Sequence, residues 1–419
     1  MKTLLQASFL LVGDEMRLLR DGYILIDGKT ISEVGRGKPP QAERRIRREE
    51  SIIVSGLINS HVHIGDSAFK DSGFGKSLDE LFKPPNGLKH RLLKNTANDI
   101  VLKAIKDTLF ELLSSGTTTF ADFREGSIAG VRLLLEALTT QKIRALIFGR
   151  PNDAQSEHHN DARETIPQSS LADINVLLQA VNGLAPSSPN DVTDETLRQL
   201  SRLAKQHSKL RATHAAESPD SEKISKSRGG LTEVQRAIDY FEASLLVDLT
   251  YASQLDLNLV AERGVPVVVC PRANASLGLR LPPVPEMLDA GINVCLGTDN
   301  VMLNQPDMFR EMEFALKAYR MEKAAARSLD PMEILRMATI NGAKALGISE
   351  ETGTIEEGKS ADLVIMDLNR SLRNTQDLPT ALVHRAGAED ISSVILRGEV
   401  VYDRHMGKRA RAKTSREAI

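Results

Sequence analysis

Two histidines one residue apart, His61 and His63, end the apolar run Gly56-Leu-Ile-Asn-Ser-His-Val-His-Ile-Gly65. Side chains two apart on a strand point the same way, so both imidazoles would face one point, which is half of a metal site. A His-x-His pair alone is common by chance, and its weight comes from what could complete it. His214 lies in Thr-His-Ala-Ala-Glu-Ser and Asp299 in Leu-Gly-Thr-Asp-Asn, each at the end of another apolar run. Three imidazoles and a carboxylate suit one divalent ion, Zn2+ or Fe2+, with room for a water. Glu217, three residues after His214, is placed to carry protons between that water and a substrate nitrogen. Each residue also has a bland reading: a satisfied strand-end histidine, a Thr-Asp-Asn turn that is only a cap, a helix N-terminal charge. Four candidates at strand ends of one derived topology favour the joint site.

The elements that must position these residues follow from the hydrophobic rhythm. From Leu4 to Val54 short apolar runs alternate with turn residues such as Asp27-Gly28 and Gly35, which predicts strands and hairpins without a helix. The charged stretch Glu43 to Glu50 reads as a solvated edge. After Gly56, buried-looking strands alternate with amphipathic helices. The strands are expected at Leu57 to His63, Thr117 to Phe123, Ile143 to Phe148, Ala180 to Ala185, Leu210 to His214, Leu245 to Leu249, Val265 to Cys270 and Ile292 to Gly297. Helices are expected at Ile100 to Leu113, Thr193 to Gln206, Leu231 to Glu242, Met308 to Ala325 and Pro331 to Leu346. Eight parallel strands with intervening helices predict a (β/α)8 TIM barrel, whose chemistry sits at the carboxyl ends of the strands. His61 and His63 close the first strand, His214 the fifth, and Asp299 follows the eighth.

Short strands return after the barrel, so both chain ends should pair into one small β-sandwich. The expected organisation is residues 1–55 and 350–403 for the sandwich, 56–349 for the metal-dependent barrel, and 404–419 as a basic, solvated tail.

Composition limits the function classes. The 419 residues carry 54 Lys plus Arg against 56 Asp plus Glu, so no nucleic-acid footprint dominates. Aromatics make up only 4% and Trp is absent, which argues against a base-stacking platform. Cys270 and Cys295 lie in apolar runs and form no Cys-x-x-Cys, in keeping with a reducing compartment such as the cytoplasm. Gln6 interrupts the run from Leu4 to Val12, which reads as a strand and not a signal peptide, and no run is long enough for a membrane span. The expected partner is a small-molecule substrate.

With these residues in place the chain resembles the amidohydrolase superfamily. Gly-Leu-Ile-Asn-Ser-His-Val-His matches its first-strand motif, His214 to Glu217 its His-x-x-Glu, Cys270 to Asn274 its Cys-Pro-x-x-Asn, and Gly297 to Asn300 its Gly-Thr-Asp. The run Ala338 to Asp367 is also typical, so the resemblance spans Leu4 to Tyr402. It is most similar to the branch of cytosine deaminase, guanine deaminase and the triazine hydrolases. The resemblance implies a mononuclear hydrolase in which Asp299 ligates metal and takes a proton from the attacking water, while Glu217 protonates a ring nitrogen and helps expel ammonia. The fourth strand ends in Pro186-Ser187 and offers no lysine to bridge two metals, which counts against the dihydroorotase and hydantoinase branch. The unrelated zinc deaminase signature, His-x-Glu with Pro-Cys-x-x-Cys, is missing as well. Homo-oligomers are common in the family.

One departure stands out. The family places a histidine at the end of the sixth strand to orient and polarise the water, where this chain has Asp248. An aspartate is shorter and anionic; it accepts a hydrogen bond but cannot act as a cation. The first loop, Phe69 to Leu93, is a long excursion of the kind that forms lids. Lys89 on that loop, Arg150 at the end of the third strand and Asn274 are the substrate-binding candidates, with ordinary rim salt bridges as the alternative for the two cations. Hydrolytic deamination of an aromatic heterocycle is the first functional reading. The alternatives are hydrolysis of another C–N bond, such as a cyclic amide, and a catalytically impaired ligand-binding homologue, for which Asp248 is the support.

Overall fold

The computed structural model describes residues 1–83, 86–151, 165–323 and 329–404. Strands β1 (Lys2–Val12), β2 (Arg17–Asp27), β3 (Thr30–Arg36) and β4 (Arg44–Ser55) come first. β2 turns into β3 across two residues, with Gly28 at a φ of 61° that the tight hairpin requires. Eight further strands then alternate with helices: β5 (Leu57–His63), β6 (Thr117–Arg124), β7 (Arg144–Gly149), β8 (Gly183–Leu184), β9 (Leu210–Ala215), β10 (Leu245–Asp248), β11 (Val267–Val269) and β12 (Val294–Leu296). They pair in parallel and in sequence order. Beyond Gly297-Thr298 the eighth strand continues as β13 (Asp299–Asn300), which pairs with β5 at Val62 and His63 and so closes the barrel. The last strands, β14 (Leu363–Asp367), β15 (Ile391–Leu396) and β16 (Glu399–Asp403), return to the first sheet.

That sheet has the order β16-β15-β14-β4-β1-β2-β3, so the two chain ends meet at β4, antiparallel to β14 and parallel to β1. The period of two along β4 separates its faces. Ile53 joins Leu5, Leu10, Ile24 and Ile365 in the sheet's own core, whereas Ile52 and Val54 belong to the barrel's core. The expected sandwich is this one seven-stranded sheet with a core on each face. Arg44 to Arg48 pair with β1, while β14 reaches only Ser51 to Ser55, and the charged residues of Arg44 to Glu50 are largely exposed.

Several boundaries differ from expectation for local reasons. The strand expected at Ala180 to Ala185 is only Gly183–Leu184, because the helix Gln168–Ala180 occupies the start of that stretch. The helix expected over Pro331 to Leu346 is two, Pro331–Met337 and Ile340–Ala345. Between them Thr339 leaves helical geometry at φ −140°, ψ −98°, and the Ala338 carbonyl accepts from the Ile58 N–H of β5 at 2.8 Å. The helix therefore breaks to satisfy the first barrel strand. The helix expected at Leu231 to Glu242 is Glu233–Asp239, started by a Thr232 capping box. The helix from Met308 ends at Glu322, and Ala325 lies outside the described residues, as do Pro84-Pro85 and residues 405–419 of the basic tail.

The first loop is not a bare excursion. It carries the helices Leu78–Phe82 and Leu88–Asn95 and rests on the barrel mouth through Phe69, Leu81 and Met302.

Candidate metal centre and active site

β5 and β9 bring their histidines to one point, and the eighth strand adds Asp299. His61 Nε2 lies 3.2 Å from Asp299 Oδ1 and 3.2 Å from His214 Nε2, and His63 Nε2 lies 3.5 Å from Asp299 Oδ1. The four potential ligand atoms all fall within 4.8 Å of one another. Two features fix this approach. Asn59 and Thr298 exchange hydrogen bonds, Asn59 Nδ2 to Thr298 Oγ1 at 2.7 Å and Thr298 N to Asn59 Oδ1 at 3.1 Å, locking β5 to the eighth strand. Gly297 has no room for a side chain, since a Cβ would stand 2.7 Å from both the His61 Cβ and its carbonyl oxygen. Asp299 then takes a left-handed φ of 57°.

The donor set fits one divalent cation such as Zn2+. His63 donates its Nδ1–H to the Phe123 carbonyl at 2.8 Å and His214 donates its own to the Ser187 carbonyl at 2.8 Å, so both Nε2 atoms turn lone pairs inward. An ionised Asp299 faces the same point, and such a cluster of acceptors needs a cation between them. His61 Nδ1 is buried and has no partner among the described residues, and the Phe123 ring packs 4.1 Å from the His61 ring. Electrostatics keep His63, His214 and Asp299 in their ligating forms. Burial, then the Lys89 cation, pulls His63 down to about 4. Burial and then the neighbouring imidazoles hold His214 well below the usual histidine range. Burial works against ionising Asp299, yet the three imidazoles, His61 foremost, keep its carboxyl well below the usual range.

Glu217 shares the walls of the open cleft with His63, His214 and Asp299. Burial first, then the charges of Asp248 and Asp299, pushes it well above the carboxylate range. The turn that delivers it is strained: Ala216 has a φ of 50°, and its N–H donates to Glu233 Oε2 at 2.7 Å. Glu233 is itself buried, also accepts from the Ser188 hydroxyl, and is pushed up to about 7 by burial. Sequence reasoning missed it, because an acidic residue just after a Thr cap is what any helix start shows.

Asp248 ends β10 in register with Ala215 at a φ of 78°, followed by Leu249 at 57°. It is buried, its Oδ2 has no hydrogen-bond partner among the described residues, and it does not line the cleft. Asn274 does not reach the cleft either; its amide donates to Thr250 Oγ1 at 2.9 Å and the Arg280 carbonyl at 3.1 Å, tying the helix Pro271–Ser276 after β11 to the residues just beyond β10. Lys89 borders the cleft but is committed, its Nζ paired with Glu125 and 3.5 Å from Asp66 Oδ2. Arg150 also lines the cleft; it is 8% exposed, and its guanidinium has no ion pair or hydrogen bond among the described residues.

Residues 52–401 match the profile described as the Amidohydrolase family, and the chain belongs to that family. A relative from Methanothermobacter thermautotrophicus is 36% identical over 94% of this chain and 97% of its own length. The 5-methylthioadenosine/S-adenosylhomocysteine deaminase of Caldanaerobacter subterraneus is 30% identical over 96% of this chain and 94% of its own length. Among solved structures, an adenosine deaminase from Xanthomonas campestris with bound zinc has a TM-score of 0.84 and 23% identity over 99% of this chain and 98% of that one. At that identity the likeness carries the fold. No helix among the described residues is long and apolar enough to cross a membrane.

Proposed function

We propose that this chain is a metal-dependent hydrolase that deaminates an aromatic nitrogen heterocycle, with His61, His63, His214 and Asp299 holding one divalent ion. The observation that carries the reading is one cleft shared by the candidate metal donors His63, His214 and Asp299, the carboxyl of Glu217 and the guanidinium of Arg150, which has no ion pair among the described residues. A divalent ion held there supplies the Lewis acidity that makes an attacking water reactive at neutral pH. The side chains do the rest. Asp299, ionised within the imidazole cluster, takes a proton from the water as its oxygen adds to the amino-bearing carbon. Glu217 gives a proton to the adjacent ring nitrogen; the amino group then leaves as ammonia with the proton that Asp299 took, while the hydroxyl proton of the adduct passes to Glu217 as the carbonyl forms. Arg150 holds a carbonyl or anionic group of the substrate, and the backbone clamp of Glu233 on Ala216 sets the direction of Glu217.

A relative at 30% identity is named for adenine-bearing substrates, which supports an aminopurine nucleoside as the first compound to test. Ammonia release is measured with zinc-loaded protein on a panel of nucleobases, nucleosides and pterins. Release from at least one member, with equimolar loss of substrate, is the expected result. Full zinc occupancy with no release across the panel favours the second reading, a ligand-binding descendant, for which the buried Asp248 in place of histidine is the supporting observation.

A further inference from the structure

The first loop sends a lysine into the interior beside a metal ligand. Lys89, on the helix Leu88–Asn95, is 2% exposed and lies between two carboxylates that are just as enclosed, Asp66 at 0% and Glu125 at 5%. Each carboxylate leads to a different part of the metal centre. Glu125 Oε1 contacts Lys89 Nζ and flanks His63 Nδ1 at 2.8 Å, beside the Phe123 carbonyl that takes the same N–H. Asp66 Oδ1 accepts the Met302 N–H at 3.1 Å, three residues beyond Asp299. Space has been cleared for the arrangement: a Cβ on Gly65 would meet Arg124 Nη1 at 2.4 Å and Glu125 Oε2 at 3.0 Å.

Charges this deeply buried are not neutral in energy. Taken from water they are tolerated only when paired, and each acts on its neighbours over a medium that screens little. Glu125 raises the electron-donating power of His63 from the far side of the ring, as an acceptor behind a ligating imidazole does. Lys89 works in the opposite sense, placing a positive charge on the same oxygen. We propose that Glu125 is a positioning residue for His63 and that Lys89, brought in by the first loop, is its counter-charge, so that the pair sets how tightly the centre holds its metal. Lys89 is then a regulator of the centre and not a substrate ligand. The inference rests on the ligand set assigned above.

The opposite signs make the test sharp, and its readout is zinc affinity, measured on metal-free protein by competition with a chromogenic chelator. Glu125→Gln keeps the size of the side chain but removes the anion while Lys89 remains; zinc should bind about 10- to 100-fold more weakly. Adding Lys89→Met to that variant removes the opposing cation and should recover most of the loss, to within about threefold of wild type on the same electrostatic reasoning. Lys89→Met alone leaves two buried carboxylates facing each other, so the decisive comparison is Glu125→Gln against the double variant, each checked by circular dichroism and thermal melting. If Lys89 merely pins the loop, the double variant should bind zinc no better than Glu125→Gln, and that result overturns the proposal. So does a Glu125→Gln protein with wild-type affinity. The ligand set is tested separately, because loss of all zinc in H61A/H63A bears on the centre and says nothing of Lys89.

Discussion

The seven-stranded sheet and the barrel mouth are built by opposite rules. In the sheet, apolar side chains pack into cores on both faces, and residues with left-handed backbone lie in turns, as Met16 and Arg397 do, or inside strands, as Asp21 in β2 and Glu50 in β4 do. At the mouth, left-handed residues stand at or just beyond the strand ends themselves: Ala216, Asp248, Leu249 and Asp299. There too are buried polar atoms without hydrogen-bond partners among the described residues, including His61 Nδ1, Asp66 Oδ2, Asp122 Oδ2 and Asp248 Oδ2. Each strained residue costs about 1–3 kcal/mol, and each unpaired buried polar group about as much. The difference locates where stability has been given up, and it coincides with the proposed catalytic groups.

The most severe way to break that contrast is to empty the mouth of its ligands. Wild-type protein should carry about one divalent ion per chain and H61A/H63A none, read by elemental analysis. Thermal stability should rise with added zinc in the wild type and be insensitive to it in the variant. Unchanged metal content in the variant would remove the centre as drawn.

Next in size is Glu217→Gln, which keeps the side-chain shape and removes the exchangeable proton. Metal content and melting temperature should hold while turnover falls by roughly two to four orders of magnitude. Near-normal turnover would assign the proton transfers elsewhere. The sheet should answer in the converse way. Ile53→Ala removes a fully buried side chain from the core on the sheet's outer face and should lower unfolding stability by about 2–4 kcal/mol, with zinc affinity and kcat within about twofold of wild type. A large change in kcat from Ile53 would mean that the two regions are not separable.

The same contrast explains what could be read from the sequence. The sheet and the barrel strands announce themselves through periodicity, and the four candidate ligands through their position at strand ends. Strand ends are defined by the chain's own hydrophobic rhythm. What pairs with Lys89 is not so defined: Asp66, Lys89 and Glu125 come from three separate segments, and only the closed barrel puts them together. Asn274 looked like a substrate contact because it ends a recognisable motif, but its amide is consumed by Thr250 and Arg280. The break at Thr339 was invisible for a related reason. The helical pattern through Pro331 to Leu346 is continuous, and the competing demand comes from the N–H of Ile58, far away in sequence.

Asp248 gives the smallest and most informative test. The family's histidine at this position would reach further than an aspartate, whose carboxylate stays behind the mouth, away from the cleft, with Oδ2 lacking a hydrogen-bond partner among the described residues. Burial, then the charge of Asp299, pushes Asp248 well above the carboxylate range. Asp248→His is compatible with the backbone, because histidine is among the residues that tolerate a φ near 78°. A longer imidazole would present a neutral donor and acceptor to the attacking water and could carry positive charge as negative charge develops. Turnover should therefore rise by at least about tenfold, roughly 1.4 kcal/mol of transition-state stabilisation, when wild type and variant are matched for metal and assayed for ammonia release across pH. If the mouth has instead adapted to aspartate as a second base, the same substitution lowers turnover. Such a fall would make Asp248 a working part of the site and would show that its strain and burial are being used and not merely tolerated.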